Sequence, residues 1–376
     1  MDTIRTASDE QQLPPVPDHH HLVCDAATGI LDVGVMAPRG GGDHAACCVA
    51  LQQRAAYPLK LVIPRHLGSF QLHSPQGSGG SVAPATPVWA FVVTYGGGIC
   101  AGDVVPLAVT VRPQATVVLT TQSATKVYHA RGGADAPSPG RAAVLSTVAA
   151  VALGGLLACL ADPLVCFADA ACVQATSVVL APQASCVLLD WCCSGRRAVG
   201  EVWAGRRVEQ RTQVSLWDPD VGTTAPLLTE ATLLRASAAA PLAQRMGRVH
   251  VVGTLILYGP RCACCVGKGG RTVWHPISHT PSLRFPPSVR DHAAALLRDL
   301  QAGFTAVCFE RNRNAANAAA TAVVSPRFFF AAGAAVGDGG CVVRLAAEDL
   351  DEAYAWVRAA LGPLHGQLGG APFRGQ

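Results

Sequence analysis

The chain has 376 residues, enough for one large domain or two ordinary ones and for a substantial buried core. Charged residues make up only 14% of it, against roughly 25% in an average globular protein, and hydrophobic residues reach 50%, so much of the chain has to be hidden from water. The net charge of +4 comes without any block of like charge, and Arg196-Arg197 and Arg206-Arg207 are isolated pairs without interleaved aromatics, which argues against nucleic acid as a partner.

In chain order, residues 1–28 read as a flexible tail. Met1 to Leu13 is polar and charged, with no apolar core for a signal peptide, and Pro14, Pro15 and Pro17 lead into His19-His20-His21. A single body is expected over residues 29–365, with residues 77–87 as a Gly/Ser/Pro-rich loop insertion and 366–376 as a C-terminal tail. Next comes Tyr95-Gly96-Gly97-Gly98-Ile99-Cys100-Ala101-Gly102-Asp103. A phosphate-binding loop would need a following helix N-terminus, or Gly-Lys-Ser/Thr, to supply its donors, and here a strand pattern follows instead. The run is therefore read as a tight turn that presents Asp103 where a strand begins. Val266 to Arg271 fails as a phosphate loop for similar reasons.

Three strand–turn–strand units succeed one another. Val105 to Val111 places Leu107, Val109 and Val111 on one face, turns at Pro113-Gln114 and resumes at Thr116 to Thr121. Val148 to Leu153 turns at Gly154-Gly155 into Leu156-Leu157-Ala158. Val178-Val179-Leu180 turns at Pro182-Gln183 into Ser185 to Leu189. Such repeats imply stacked β layers, each burying its apolar face against the next. The uncharged stretch Ala142–Ala161 is long enough for a membrane span. It contains a Gly-Gly turn, favours extended chain and has no flanking aromatic anchors, so it is read as strands of a water-soluble protein with no membrane contact.

Helices are expected only late. Ser288 caps one that carries Val289, Ala293, Leu296, Leu297 and Leu300 and stops at Gly303. Residues 312–335 form an Asn/Ala-rich insertion, and Cys341 to Leu345 a strand. A second helix starts near Asp349, with Asp351 and Glu352 in its first turn and Leu350, Tyr354, Val357 and Leu361 on one face. The fold class is mainly β: a β-helix-like stack of strand layers with about two α-helices near the C-terminus.

The 15 cysteines, several in doublets such as Cys47-Cys48 and Cys192-Cys193, fit free thiols in a reducing compartment, and the expected location is cytoplasmic. Cys262-Ala263-Cys264-Cys265, with His275 and His279 beyond, resembles half a zinc site without the regular second pair. No catalytic constellation stands out, so the chain is read as no enzyme.

The order of motifs carries the reading further. Tyr95 to Asp103 is followed by Thr120-Thr121-Gln122-Ser123-Ala124-Thr125-Lys126-Val127-Tyr128 and then by Asp162 to Asp169. Leu188-Leu189-Asp190-Trp191, Ser194-Gly195-Arg196, Gly200-Glu201-Val202-Trp203 and Leu257 to Pro260 complete the series. From about Ile30 to Leu361 this resembles the UreD (also called UreH) family of urease maturation factors, in its plant and algal form. Gly96, Gly97, Gly98, Gly102, Thr120, Thr121, Gln122, Thr125, Lys126, Tyr128, Gly195, Arg196 and Trp203 are the matching signature residues.

The resemblance implies a scaffold, in a complex with urease accessory protein F and the GTPase accessory protein G, that delivers nickel into apo-urease. It implies an internal water-filled tunnel, and Ni2+ held only in transit rather than as a bound cofactor. A cation in transit needs oxygen or imidazole groups of moderate affinity, since thiolates would retain it. Asp103, Asp162 and Glu201 are therefore the candidate carboxylates of a nickel path or partner interface. Their structural alternatives are turn capping for Asp103 and Asp162 and an Arg196 partner for Glu201. The rival functions are a cysteine-based zinc or redox protein at Cys262–Cys265 and, behind it, a membrane transporter.

Overall fold

The computed structural model describes residues 29–36, 46–64, 85–129, 142–237, 240–262, 329–336 and 339–373. Its first strands are β1 (Gly29–Met36), β2 (Cys47–Ala55), β3 (Leu59–Val62), β4 (Val88–Thr94), β5 (Gly98–Ile99) and β6 (Val104–Val111). They are followed by β7 (Thr116–Thr120), β8 (Thr125–Val127), β9 (Ala143–Val151), β10 (Leu156–Cys159), β11 (Leu164–Cys166) and β12 (Ala171–Leu180). The last are β13 (Ser185–Cys193), β14 (Arg207–Asp218), β15 (Thr223–Arg235), β16 (Val251–Tyr258), β17 (Phe329–Val336) and β18 (Gly340–Ala347). The helices are α1 (Leu242–Met246), α2 (Leu350–Ala360) and α3 (His365–Leu368).

The strands form two sheets, one of seven strands in the order β15-β14-β12-β9-β6-β1-β2 and one of eleven. The main path of the larger sheet runs β17-β18-β16-β13-β10-β7-β4-β3. Each repeat sends its first strand to the smaller sheet and its second to the larger. β6, β9 and β12 lie parallel in one sheet, and β7, β10 and β13 lie parallel in the other. The rungs are in register: Val111 faces Val151, which faces Leu180, and Thr116 faces Leu156, which faces Ser185. The stacked β layers expected from the sequence are present.

The turns explain why the repeats stack. Ala115, Gly155 and Ala184 donate backbone N–H bonds to the carbonyls of Arg112, Ala152 and Ala181 at 3.1, 2.9 and 3.0 Å. The third turn residue is left-handed in every copy, at φ +61° for Gln114, +66° for Gly154 and +60° for Gln183. The second and third turns also bond to the strand end of the repeat before, Ala152 N–H to the Val111 carbonyl and Ala181 N–H to the Val151 carbonyl, each at 2.8 Å. Glycine takes that position in the middle copy, where a Cβ on Gly154 would displace the Gln114 side-chain amide, 2.3 Å away.

Two apolar cores result. One fills the space between the sheets with Leu107, Val109, Val111, Val151, Val178 and Leu188 among others. Leu107, Val109 and Val111 share its face, as alternation predicts. The second lies on the far side of the larger sheet, where Trp191, Leu189 and Leu255 meet Tyr354, Val357 and Leu361 from the C-terminal helical segment. Asp349 caps α2 by accepting a bond from the Asp351 N–H at 2.8 Å. Burying Val357 and Leu361, each 0% exposed, stabilises this layer by about 1.5–3 kcal/mol apiece.

Ala142–Ala161 forms strands, as expected: Ala143–Val151 and Leu156–Cys159 belong to different sheets and are divided by the Gly154-Gly155 turn. Among the described residues no helix is long and apolar enough to cross a membrane. The insertion drawn over 312–335 ends in strand β17, because Phe329–Val336 pairs antiparallel with β18 along its whole length. Part of the expected C-terminal tail is also packed, with Leu368 and Phe373 buried in the second core. The helix expected from Ser288, the tail 1–28, residues 77–84 and Cys264, Cys265, His275 and His279 lie outside the described residues.

Candidate functional site

The sheets do not meet everywhere. Between them lies a cavity of about 110 Å³, at the end where β4, β7 and β10 finish. Its apolar wall includes Val92, Leu107, Leu119 and Leu145, and its polar wall Thr120, Thr121, Asp162, Gln174, Thr176 and Asp190. Asp162 and Asp190 therefore line one small space, and among the described residues no lysine, arginine or histidine lines it.

Asp162 follows the end of β10 and is 5% exposed. The Thr121 hydroxyl donates to its Oδ2 at 3.0 Å and accepts its backbone N–H at 2.9 Å. The Tyr354 hydroxyl, from α2, donates to its Oδ1 at 2.7 Å. Burial pushes the Asp162 carboxyl above its usual range, and the bonds from Tyr354 and Thr121 offset part of that rise.

Asp190, on β13, is half-buried and also lines the cavity. Gln174 Nε2 on β12 donates to its Oδ1 at 2.8 Å, and the Thr212 hydroxyl on β14 donates to its Oδ2. Gln210 Nε2 extends the network to Gln174 Oε1 at 3.1 Å. Burial pushes the Asp190 carboxyl up to about 6, against the lowering effect of the Thr212 bond. Asp190 belongs to the Leu188-Leu189-Asp190-Trp191 segment and is not among the three candidate carboxylates. Its signal was an acid alone within the apolar run Cys186 to Cys193.

The other two candidates lie outside the cavity. Asp103 closes the glycine turn, its Oδ2 accepting the Cys100 N–H at 2.7 Å, which is the turn-capping arrangement. Glu201 pairs with Arg196 through both carboxylate oxygens and also accepts the Ala168 N–H at 3.3 Å. The Arg196 partner holds its carboxyl below the usual range.

The signature residues converge at this end. Gly96 and Gly97 are left-handed, and a Cβ on either would meet nothing within 4 Å. Gly98 pairs with Lys126, and a Cβ there would fall 2.4 Å from the Lys126 carbonyl. Tyr128 donates to the Gly96 carbonyl at 2.9 Å and meets Phe167 edge-on at 5.3 Å. Arg196 covers the other contact of Phe167, 4.1 Å from its ring centre. Gly102 and Gly195 supply further left-handed turns at φ +87° and +107°. The Thr120 hydroxyl donates to the Leu160 carbonyl at 2.9 Å, and Thr125 lines the cavity. Gln122 is exposed, and buried Trp203 donates its indole N–H to the Val249 carbonyl at 2.7 Å.

Thiol chemistry is poorly served in what is described. Burial raises the thiols of Cys48, Cys159, Cys166, Cys172, Cys186, Cys192, Cys193 and Cys341, to about 12 for Cys166 and Cys186 and about 11 for Cys341. Such thiols stay protonated at neutral pH, and the thiolate is the ligand and nucleophile. Cys262 is fully buried, with Sγ 3.5 Å from the Cys186 carbonyl. Among the described residues no three His, Cys, Asp or Glu side chains gather closely enough to hold a metal. What the arrangement offers is two acidic residues with hydroxyl and amide partners on the wall of one small cavity.

The sequence profile of the family described as UreD urease accessory protein matches residues 44–375. The chain is similar to urease accessory protein UreD of Sorangium cellulosum, 31% identical over 319 residues that cover 85% of this chain and 77% of that protein. It is 28% identical to urease accessory protein D of Arabidopsis thaliana over 335 residues, covering 89% and 96%.

Proposed function

Because the chain belongs to the UreD family of urease accessory proteins, and so has a role in urease maturation, we propose that it is a scaffold for nickel transfer. In this reading it works in a complex with accessory proteins F and G, and nickel passes through it into apo-urease. The ion is cargo rather than a resident cofactor.

The observation that supports this most is the cavity with Asp162 and Asp190 on its wall and, among the described residues, no positive side chain lining it. A buried carboxylate without a counter-charge is costly, and a divalent cation supplies that charge. Hard oxygen ligands suit a hydrated divalent ion, and their dispersal keeps affinity moderate. The donors to the two carboxyl groups are hydroxyls and an amide, from Thr121, Tyr354, Thr212 and Gln174.

In this reading Asp103 and Glu201, which cap the glycine turn and pair with Arg196, serve a partner interface rather than the ion path. They hold the glycine turn and the Arg196 loop at the end of the sandwich, where a partner would meet the signature residues. Co-expression with accessory proteins F and G and apo-urease tests the proposal. The expected result is co-purification of the assembly and nickel-dependent urease activity that requires this chain. Urease that gains full activity without it, at limiting nickel, would overturn the proposal.

A further inference from the structure

Asp162 sits where two layers touch. Its Oδ2 meets Thr121, a cavity-lining residue, while its Oδ1 is taken by Tyr354 from the helical layer on the far side of the larger sheet. Tyr354 is 4% exposed and is fixed by rings: Trp191 edge-on at 4.8 Å and Phe373 at 5.4 Å. Trp191 in turn donates its indole N–H to the carbonyl of Ala161, next to Asp162, at 2.8 Å. Burial and the two ring contacts hold the phenol against the oxygen it covers.

Chemically this matters because a carboxylate can bind a cation through one oxygen or chelate it through two. A chelating carboxylate holds the ion longer, which suits storage; a single oxygen with a neighbouring hydroxyl suits passage. We propose that Tyr354 is a positioning residue for the cation route: by occupying Oδ1 it leaves Asp162 to present Oδ2 alone to the cavity, so that a divalent cation is handed on rather than retained. The inference rests on the reading of the cavity as a nickel passage. It assigns to the C-terminal helix a part in that passage beyond covering the sheet.

The test is Tyr354→Phe in the full chain, which keeps the ring and its packing and removes only the hydroxyl. Nickel alone is the probe, with affinity read by calorimetry and release read by the rate at which a colorimetric chelator captures the ion. Asp162→Asn serves as reference, and a thermal melt establishes that both variants fold. Tyr354→Phe is expected to bind nickel about 10-fold tighter and to release it correspondingly more slowly, with the gain abolished in the double variant carrying Asp162→Asn. Unchanged or weaker binding by Tyr354→Phe, while Asp162→Asn lowers affinity, would overturn the positioning role and leave the passage intact. Wild type and Asp162→Asn that bind and release nickel identically would overturn the passage reading itself, and this inference with it.

Discussion

Thr121 and Asp162 hold each other twice: the hydroxyl donates to the carboxylate at 3.0 Å and accepts the Asp162 backbone N–H at 2.9 Å. Backbone and side chain are thereby fixed together at the point where the chain leaves β10 and enters the cavity wall. Thr121→Val keeps the shape and removes both bonds, leaving a buried amide and one carboxylate oxygen unsatisfied. The expected loss is about 1–3 kcal/mol in urea unfolding, with Thr121→Ser close to wild type.

Asp190 makes stability depend on pH in a definite direction. Its folded-state pKa of about 6 lies above the unfolded value of roughly 3.9. Below pH ~4 the group is protonated in both states and costs nothing; as pH rises towards 6 the unfolded chain gives up its proton first. Wild type should therefore lose roughly 2–3 kcal/mol relative to Asp190→Asn between pH ~4 and ~7. Chemical denaturation of the two proteins across that range checks it; parallel curves would show that Asp190 titrates as an ordinary carboxylate.

Glu201 should behave differently, because its pair with Arg196 is partly exposed. Glu201→Gln is expected to shift the melting temperature little while weakening co-purification with the other accessory proteins and apo-urease. A variant that assembles as wild type does would remove Glu201 from the interface.

Among the described cysteines, Cys100 is the exposed one, and eight others have thiols raised by burial. Brief alkylation of native protein at neutral pH, mapped by mass spectrometry, should label Cys100 well ahead of Cys166, Cys172, Cys186 and Cys192. Rapid labelling of those four would revive a redox role.

The parts legible in the sequence are those written locally. Pro113-Gln114, Gly154-Gly155 and Pro182-Gln183 punctuate apolar runs, and turn chemistry plus alternation suffices to place the strands around them. The Asp349 cap and the apolar face of α2 are local in the same sense. The site was legible only in part, because its bonds join distant segments. Asp162 meets Tyr354 across 192 positions, and Asp190 meets Gln174 and Thr212 across 16 and 22, each on a different strand. No spacing rule links such residues; parallel stacking brings them together. Asp162 was found through its motif, whereas Asp190 looked like one polar residue in a buried strand until its neighbours were in place.

The central claim is that the two cavity carboxylates carry nickel towards urease. The most direct measurement is the nickel content of urease purified after co-expression with accessory proteins F and G and the Asp162→Asn/Asp190→Asn double variant. The substitutions keep size and remove the charge; each turns one acceptor oxygen into an amide donor, which the Thr121 or Tyr354 hydroxyl and the Thr212 hydroxyl can accept by rotating, so the accessory complex should still assemble on urease. The account predicts an assembled complex whose urease contains less than about a tenth of the wild-type nickel, roughly the effect of 1.4 kcal/mol or more on transfer. Urease with its full complement of nickel in the presence of the double variant would contradict it.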